Sequence, residues 1–171
     1  MDKETAMALK AGDLAPDFVL RSDTGDMVRL SDELKKQDYV VLAFFPAAFS
    51  AVCTNEMNIF QEALGEIHDL NAEVLGISTD NFYSLREFKE RNGLDFPLLS
   101  DFHPRGAVAS QFGTMETDGM TGRALFLVDQ DRRICFVQAV ERKVNPGVDK
   151  LLEKLEELAG EEEPWRATGT G

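Results

Sequence analysis

The sequence predicts an α/β protein in which one central mixed β-sheet is flanked by helices on both faces. Short apolar segments rich in β-branched and aromatic residues alternate with longer segments whose apolar residues recur every three or four positions. The last two short segments are separated only by a polar turn. This order indicates a parallel strand–helix–strand unit followed by an antiparallel pair.

Four segments are predicted to be buried strands, because each is a short, nearly continuous apolar run. They span residues 39–45, 74–78, 124–128 and 134–140. The turn at 129–133 is short and polar, so we expect the last two strands to form a hairpin.

The first predicted helix lies between the first two strands. Its apolar residues at helical spacing are Met57, Phe60, Leu64 and Ile67. Further helices are predicted over 82–91, 104–112 and 148–160. The last of these starts after Asn145 and Pro146 and is expected to end at Gly160. Strands and helices in this order form the thioredoxin arrangement, so a thioredoxin-like fold is expected.

The chain length of 171 residues fits a single domain, predicted over residues 1–160. The remaining stretch, 161–171, begins with three glutamates and shows no periodicity. We therefore expect a disordered C-terminal tail. The alternative is an arm that docks Trp165 on a partner subunit.

Composition argues against several classes of partner. Acidic residues outnumber basic ones by 31 to 18, and the net charge of −13 disfavours binding to nucleic acid and to anionic membranes.

The N-terminal residues lack the apolar block of a secretory signal, so a cytoplasmic location is expected. His68 and His103 share no metal-ligand spacing. We expect no metal and no bound cofactor.

The chain contains two cysteines, Cys53 and Cys135, which in a cytoplasmic protein favours a reactive thiol over a structural disulfide. Cys53 lies just past Pro46 at the start of the first helix, where free N–H groups and the helix dipole stabilise a thiolate. Met57 follows four residues later, so the sulfur is expected on the buried side of the helix. Without further context, Cys53 is equally well interpreted as a small buried apolar residue that has no reactive role. By position, Arg123 is the best candidate for a cation beside it.

The segment FFPAAFSAVCTNE resembles the peroxiredoxin signature, in which a Pro, three residues, a Thr or Ser and two residues precede the peroxidatic Cys. Here these residues are Pro46, Ser50 and Cys53. The segments AGDLAPDFVLRSDTGDMVRLSD and RALFLVDQDRRI look like the family's N-terminal hairpin and its arginine-bearing strand. FPAAFSAVCTNE and FPLLSDFHPRGAVASQFG are most similar to the one-cysteine alkyl hydroperoxide reductase E subgroup. The similarity covers residues 11–159.

The resemblance implies a thiol-dependent peroxidase that reduces hydrogen peroxide or organic hydroperoxides at Cys53. The Ser50 hydroxyl, the Arg123 guanidinium and the Cys53 N–H would bind the peroxide, and Pro46 would shape the loop and shield the sulfenic acid. Threonine is usual at position 50, and serine lacks the methyl group that restricts its rotamer. Glu56 either organises Arg123 or a loop, or it is simply a first-turn acid favoured by the helix dipole.

The sulfenic acid must meet a second thiol before Cys53 can react again. Asn58 occupies the resolving position five residues downstream, and the C-terminal tail has no cysteine. We therefore expect an external reductant: a thioredoxin-like protein, a glutaredoxin-like protein or a small thiol. Cys135, in a predicted strand, is expected to be a bystander, since it would reach Cys53 only by local unfolding. A resolving role for Cys135 is the alternative.

Other functions use the same fold. A thiol–disulfide oxidoreductase would need a Cys-x-x-Cys pair, but Thr54, Asn55 and Glu56 follow Cys53. A peroxide sensor or redox-switched holdase would use the same cysteine without sustained turnover. A degenerate binding module would consume no peroxide. The family resemblance also implies a homodimer or higher homo-oligomer.

Overall fold

A computed structural model describes residues 8–170, with side chains as far as Glu161. Within it, one seven-stranded sheet has the order β2-β1-β5-β4-β3-β6-β7. The strands are β1 (Val19–Ser22), β2 (Met27–Arg29), β3 (Tyr39–Phe44), β4 (Ala72–Ser78), β5 (Leu98–Ser100), β6 (Arg123–Asp129) and β7 (Ile134–Val140). The helices are α1 (Leu30–Glu33), α2 (Ala51–Asp69), α3 (Phe82–Asn92), α4 (Ala107–Phe112) and α5 (Asp149–Thr170).

The sheet is mixed, as predicted. β3 pairs in parallel with β4, and β4 with β5, whereas β6 runs antiparallel to both β3 and β7. The N-terminal hairpin implied by the family resemblance is present as β1 and β2. Only β5 and α1 were not predicted, because elements of three or four residues show no periodicity.

Apolar residues fill both faces of the sheet, which explains the uninterrupted apolar run of β3. Val41 and Ala43 face a core shared with α2, α3 and α5. Val40, Leu42 and Phe44 face the opposite core, which is closed by α1 and α4. The prediction of helices on both faces is therefore confirmed.

Two helix boundaries differ by more than one residue from the sequence-based expectation. The helix α4 begins at Ala107 instead of residue 104, because Gly106 has a left-handed φ of 72° that ends the preceding turn. The helix α5 continues past Gly160, since one interior glycine costs only about 1 kcal/mol and glutamates follow it. Trp165 lies outside the described side chains, so both the disordered tail and the docking arm stay predictions. None of the described helices is long and apolar enough to cross a membrane.

Candidate active site

The sheet brings two distant parts of the chain together at one end. β3 ends at Phe44, which pairs with Ala124 near the start of the antiparallel strand β6. The loop that follows β3 therefore lies beside Arg123, the first residue of β6. Arg123 has the same parity along β6 as Leu125 and Leu127, which face the core beneath α2. Its side chain thus points toward the start of α2.

Cys53 is the third residue of α2 and has no exposed surface. The Nη2 group of Arg123 donates a hydrogen bond to the Cys53 sulfur over 3.3 Å, although the two residues are 70 positions apart in sequence. Arg123 is itself only 2% exposed. In such a water-poor setting, a fixed guanidinium interacts more strongly with an anionic sulfur than it would in water.

Glu56 shares this buried site, with only 1% of its surface exposed. Its Oε1 atom accepts a hydrogen bond from Nη1 of Arg123 at 2.5 Å. Burial raises the pKa of Glu56 to about 6, against the opposing effect of the Arg123 charge. Among the described residues, its Oε2 atom has no hydrogen-bond partner. Glu56 is thus aimed at Arg123 and away from the solvent-facing side of the helix.

The backbone carbonyl of Arg142 supplies the remaining support for Arg123. It accepts hydrogen bonds from Nε at 3.0 Å and from Nη2 at 2.7 Å. The guanidinium plane is therefore held from three directions, by a carbonyl, a carboxylate and a sulfur.

The loop between β3 and α2 is fixed from the neighbouring strand. Asp80, just after β4, accepts the Ala48 N–H at 2.8 Å and the Ser78 hydroxyl at 2.7 Å through the same carboxylate oxygen. Phe49 then has a φ of +71°, which bulky residues rarely adopt. Its half-exposed ring packs edge-on against Phe88 at 5.3 Å. Such strain persists only where surrounding contacts enforce it.

Pro46 is buried at the start of this loop, and Ser50 precedes the first residue of α2. The Ser50 hydroxyl donates to the Ala47 carbonyl at 3.1 Å and does not cap the helix. The lone pairs of its hydroxyl oxygen therefore remain available to accept a hydrogen bond from a ligand. The Cys53 N–H is one of the groups that the first turn of a helix leaves open. Pro46, Ser50, Cys53, Glu56 and Arg123 thus all lie at one end of the sheet.

Cys135 lies elsewhere. It sits on β7 at an irregularity where the pairing with β6 shifts between Leu127 and Val128. Leu127 pairs beside Cys135 and lies about 13 Å along β6 from Arg123, the residue that contacts Cys53. A disulfide needs two Cα atoms within about 7 Å. Burial, followed by the nearby Asp129 carboxylate, raises the pKa of Cys135 to about 11. The two thiols are therefore separated in position and in chemistry.

Two residues that support the site, Asp80 and Arg142, were missed in the sequence analysis. A signal for each was present. Asp80 follows β4, the parallel neighbour of β3, and parallel strands place their carboxyl ends at the same sheet edge. Arg142 follows the predicted hairpin strand β7, whose Val140 pairs with Arg123.

Fold and site together define a thiol enzyme on a thioredoxin-like scaffold, and comparison with known proteins identifies its family. A model described as the AhpC/TSA family matches residues 11–137. The Mycobacterium tuberculosis protein Rv1608c, which carries a peroxiredoxin name, is 37% identical over 153 residues, covering 86% of this chain and 96% of the relative. Alkyl hydroperoxide reductase E of the same organism is 34% identical over 131 residues, covering 76% and 85%.

Structural similarity agrees with the sequence comparison. The crystal structure of the peroxidoxin BcpB from Mycobacterium tuberculosis superposes with a TM-score of 0.78 at 35% identity, covering 87% of this chain and 97% of that one. The chain therefore belongs to the AhpC/TSA family: it is a peroxiredoxin and a thiol-dependent peroxidase. The predicted similarity to alkyl hydroperoxide reductase E is confirmed, and the identity to Rv1608c is slightly higher.

Proposed function

We propose that Cys53 is the peroxidatic residue and that Ser50, Arg123 and the Cys53 N–H bind the peroxide. The observation that carries this proposal is the 3.3 Å hydrogen bond from the buried Arg123 guanidinium to the Cys53 sulfur at the start of α2. A cation held beside a thiol at a helix N-terminus favours the nucleophilic thiolate. Pro46 shapes this loop and shields the sulfenic acid that forms.

In the proposed reaction, the Cys53 sulfur attacks the hydroxyl oxygen of a hydroperoxide, ROOH. A sulfur–oxygen bond forms as the O–O bond breaks, and its electron pair leaves on the distal oxygen as RO⁻, which takes up a proton to become ROH. Cys53 is oxidised to a sulfenic acid and the peroxide is reduced. Because negative charge builds up on the distal oxygen, donation from Arg123 stabilises the transition state more than the ground state. The Ser50 hydroxyl oxygen accepts a hydrogen bond from the O–H group of the bound peroxide.

Cys53 has no exposed surface in the resting protein, so the peroxide enters through movement at the rim of the site. The 46–50 loop is the nearest such element, and its strained residue Phe49 is 48% exposed. We propose that a small displacement of this loop admits the substrate, and that the loop closes again over the sulfenic acid.

We also propose that an external thiol resets the enzyme. The reductant attacks the Cys53 sulfenic acid to form a mixed disulfide and water, and a second thiol then releases Cys53. The remoteness of Cys135 and its raised pKa support this route over an internal disulfide. The reductant is a thioredoxin-like protein, a glutaredoxin-like protein or a small thiol.

Steady-state reduction of hydrogen peroxide and cumene hydroperoxide with dithiothreitol tests the proposal. Cys53→Ser should abolish turnover, and Cys135→Ser, the matched control, should retain it. Loss of turnover in Cys135→Ser, or a Cys53–Cys135 disulfide in a non-reduced digest, would contradict external resetting. If consumption stops after a single equivalent despite excess dithiothreitol, the protein is a peroxide sensor or redox-switched holdase instead.

We further propose a homodimer or higher homo-oligomer in the cytoplasm. An exposed aromatic surface supports self-association: Tyr83 and Phe102 are 67% and 46% exposed and line a groove of about 530 Å³. The two free thiols support a reducing compartment. Sedimentation velocity with Tyr83→Ser and Phe102→Ser variants tests the proposed self-association. A monomeric wild type at micromolar concentration would contradict it.

A further inference from the structure

Arg142, two residues past the end of β7, links the reactive site to a surface loop. Its carbonyl accepts both the Nε and an Nη2 N–H of Arg123, at 3.0 and 2.7 Å. One oxygen that accepts two N–H groups from the same edge fixes the plane of the guanidinium. The other N–H groups are then directed at Glu56 and Cys53, with which they bond.

The side chain of Arg142 is anchored separately. Its guanidinium donates two hydrogen bonds to the Asp118 carboxylate, from Nη1 to Oδ2 at 2.6 Å and from Nη2 to Oδ1 at 2.8 Å. Nη2 also donates to the Met120 carbonyl at 3.3 Å, and Nε lies 3.1 Å from Glu116 without hydrogen-bond alignment. The hydrogen bonds to Arg142 hold the pKa of Asp118 well below its usual range. Two parallel bonds make this pair directional as well as charged.

Asp118 belongs to a loop, residues 114–122, that is itself well fixed. The two ends of the loop pair through an isolated bridge. At its tip, the Gly119 carbonyl accepts Nε of Arg105 at 2.8 Å and the Thr79 hydroxyl at 3.1 Å. Asp118 therefore offers Arg142 a stationary anchor.

We propose that Arg142 and Asp118 act as positioning residues, which we call the clamp, for the peroxidase reaction. The Asp118 carboxylate holds the Arg142 side chain, and through it the Arg142 carbonyl that orients Arg123 toward Cys53. Neither side chain needs to touch the peroxide. The inference rests on the proposed role of Cys53 and adds a surface residue, Asp118, on which the reactivity of that thiol depends.

Whether Asp118→Asn slows or speeds the oxidation of Cys53 distinguishes a positioning role from a simple electrostatic effect. Removing a negative charge near the site would by itself favour the Cys53 thiolate and speed the reaction. Releasing the clamp lets Arg123 turn away from the sulfur, so the reaction slows. Two readouts are measured at a temperature where circular dichroism shows each variant folded: the single-turnover rate of Cys53 oxidation by hydrogen peroxide, and the pH at which Cys53 alkylation by iodoacetamide reaches half its maximal rate.

We expect Asp118→Asn, Arg142→Met and Arg142→Lys each to slow oxidation by roughly 5- to 50-fold, which lies within the range found for coupled contacts. Each should also move the alkylation half-point to higher pH. The double variant should be no slower than the slower single variant, because the two residues act as one unit. Asp32→Asn, which makes the same charge change in an exposed ion pair on α1, is the control and should match wild type.

Wild-type or faster oxidation in Asp118→Asn, an unmoved alkylation half-point, or losses that add in the double variant would each overturn the clamp. The alkylation curve needs no peroxide, so it tests the clamp even if wild-type Cys53 failed to reduce peroxide. A wild-type Cys53 that fails to reduce peroxide would contradict the proposed role of Cys53. An alkylation half-point that the clamp variants leave unmoved would contradict the clamp.

Discussion

Removal of the Arg123 guanidinium tests the proposed peroxidatic role of Cys53. In Arg123→Met the sulfur of Cys53 loses a hydrogen bond from a charged donor at 3.3 Å. Such bonds contribute about 1.5–3 kcal/mol, equivalent to a roughly 10- to 150-fold slower reaction with peroxide. The same substitution leaves the buried Glu56 carboxylate without its partner, which destabilises a fold by about 3–5 kcal/mol when the group stays charged.

The double variant Arg123→Met/Glu56→Gln separates these two effects. It removes the stranded charge and should unfold at a higher urea concentration than Arg123→Met, yet it should react just as slowly. The assay is quench-flow oxidation of Cys53 by hydrogen peroxide at pH 7, with the sulfenic acid trapped by dimedone and quantified by mass spectrometry. The control is Arg133→Met, an exposed arginine near the opposite end of the sheet that should leave the rate unchanged. A wild-type rate in either Arg123 variant would refute the role assigned to its guanidinium.

Four further outcomes follow from the site. Ser50→Ala should slow peroxide reduction by roughly tenfold and Ser50→Thr should not, because only the hydroxyl is needed; equal initial rates for all three proteins would contradict this. Native Glu56 keeps its proton up to about pH 6 whereas the unfolded chain releases it near 4.5, so wild-type stability should fall by about 2 kcal/mol as the pH rises through this window. In urea titrations Glu56→Gln should lack that fall, and parallel curves for the two proteins would rule the effect out. Asp80→Ala should free the Ala48 N–H, seen as faster hydrogen exchange at that amide together with a lower peroxidase rate; unaltered exchange would argue against the anchor. Cys135 should react with iodoacetamide far more slowly than Cys53 at pH 8, because its pKa is about 11; similar labelling of both cysteines in a peptide map would count against the assignment.

Much of the architecture could be predicted because it depends on local patterns. The apolar run at 39–45 and the helical spacing from Met57 to Ile67 correspond to β3 and α2, which both contribute buried residues to one core. Shorter elements carried no such signal, and β5 takes its strand conformation from pairing with β1 and β4. Tertiary pairing, not local preference, decides elements of that length.

The site residues that could be predicted are those indicated by their position at the start of a helix or strand and by the family resemblance. Cys53 at the start of α2 and Arg123 at the start of β6 could be named, and their contact follows from the antiparallel register of β3 and β6. The residues proposed to orient Arg123 were harder to find, because Arg142 contacts it through a backbone carbonyl and Asp118 lies in a surface loop. The predicted hairpin brings Arg142 near Arg123, but nothing in the sequence says that its carbonyl would be the accepting group, so the proposed clamp depends on the folded arrangement.

Chemical trapping of the oxidised thiol shows which cysteine reacts with peroxide. Reduced protein is treated with a limiting amount of hydrogen peroxide in the presence of dimedone, digested and mapped by mass spectrometry. We expect a dimedone adduct on Cys53, in proportion to the peroxide consumed, and none on Cys135. Peroxide consumption without modification of Cys53, or an adduct found first on Cys135, would contradict it.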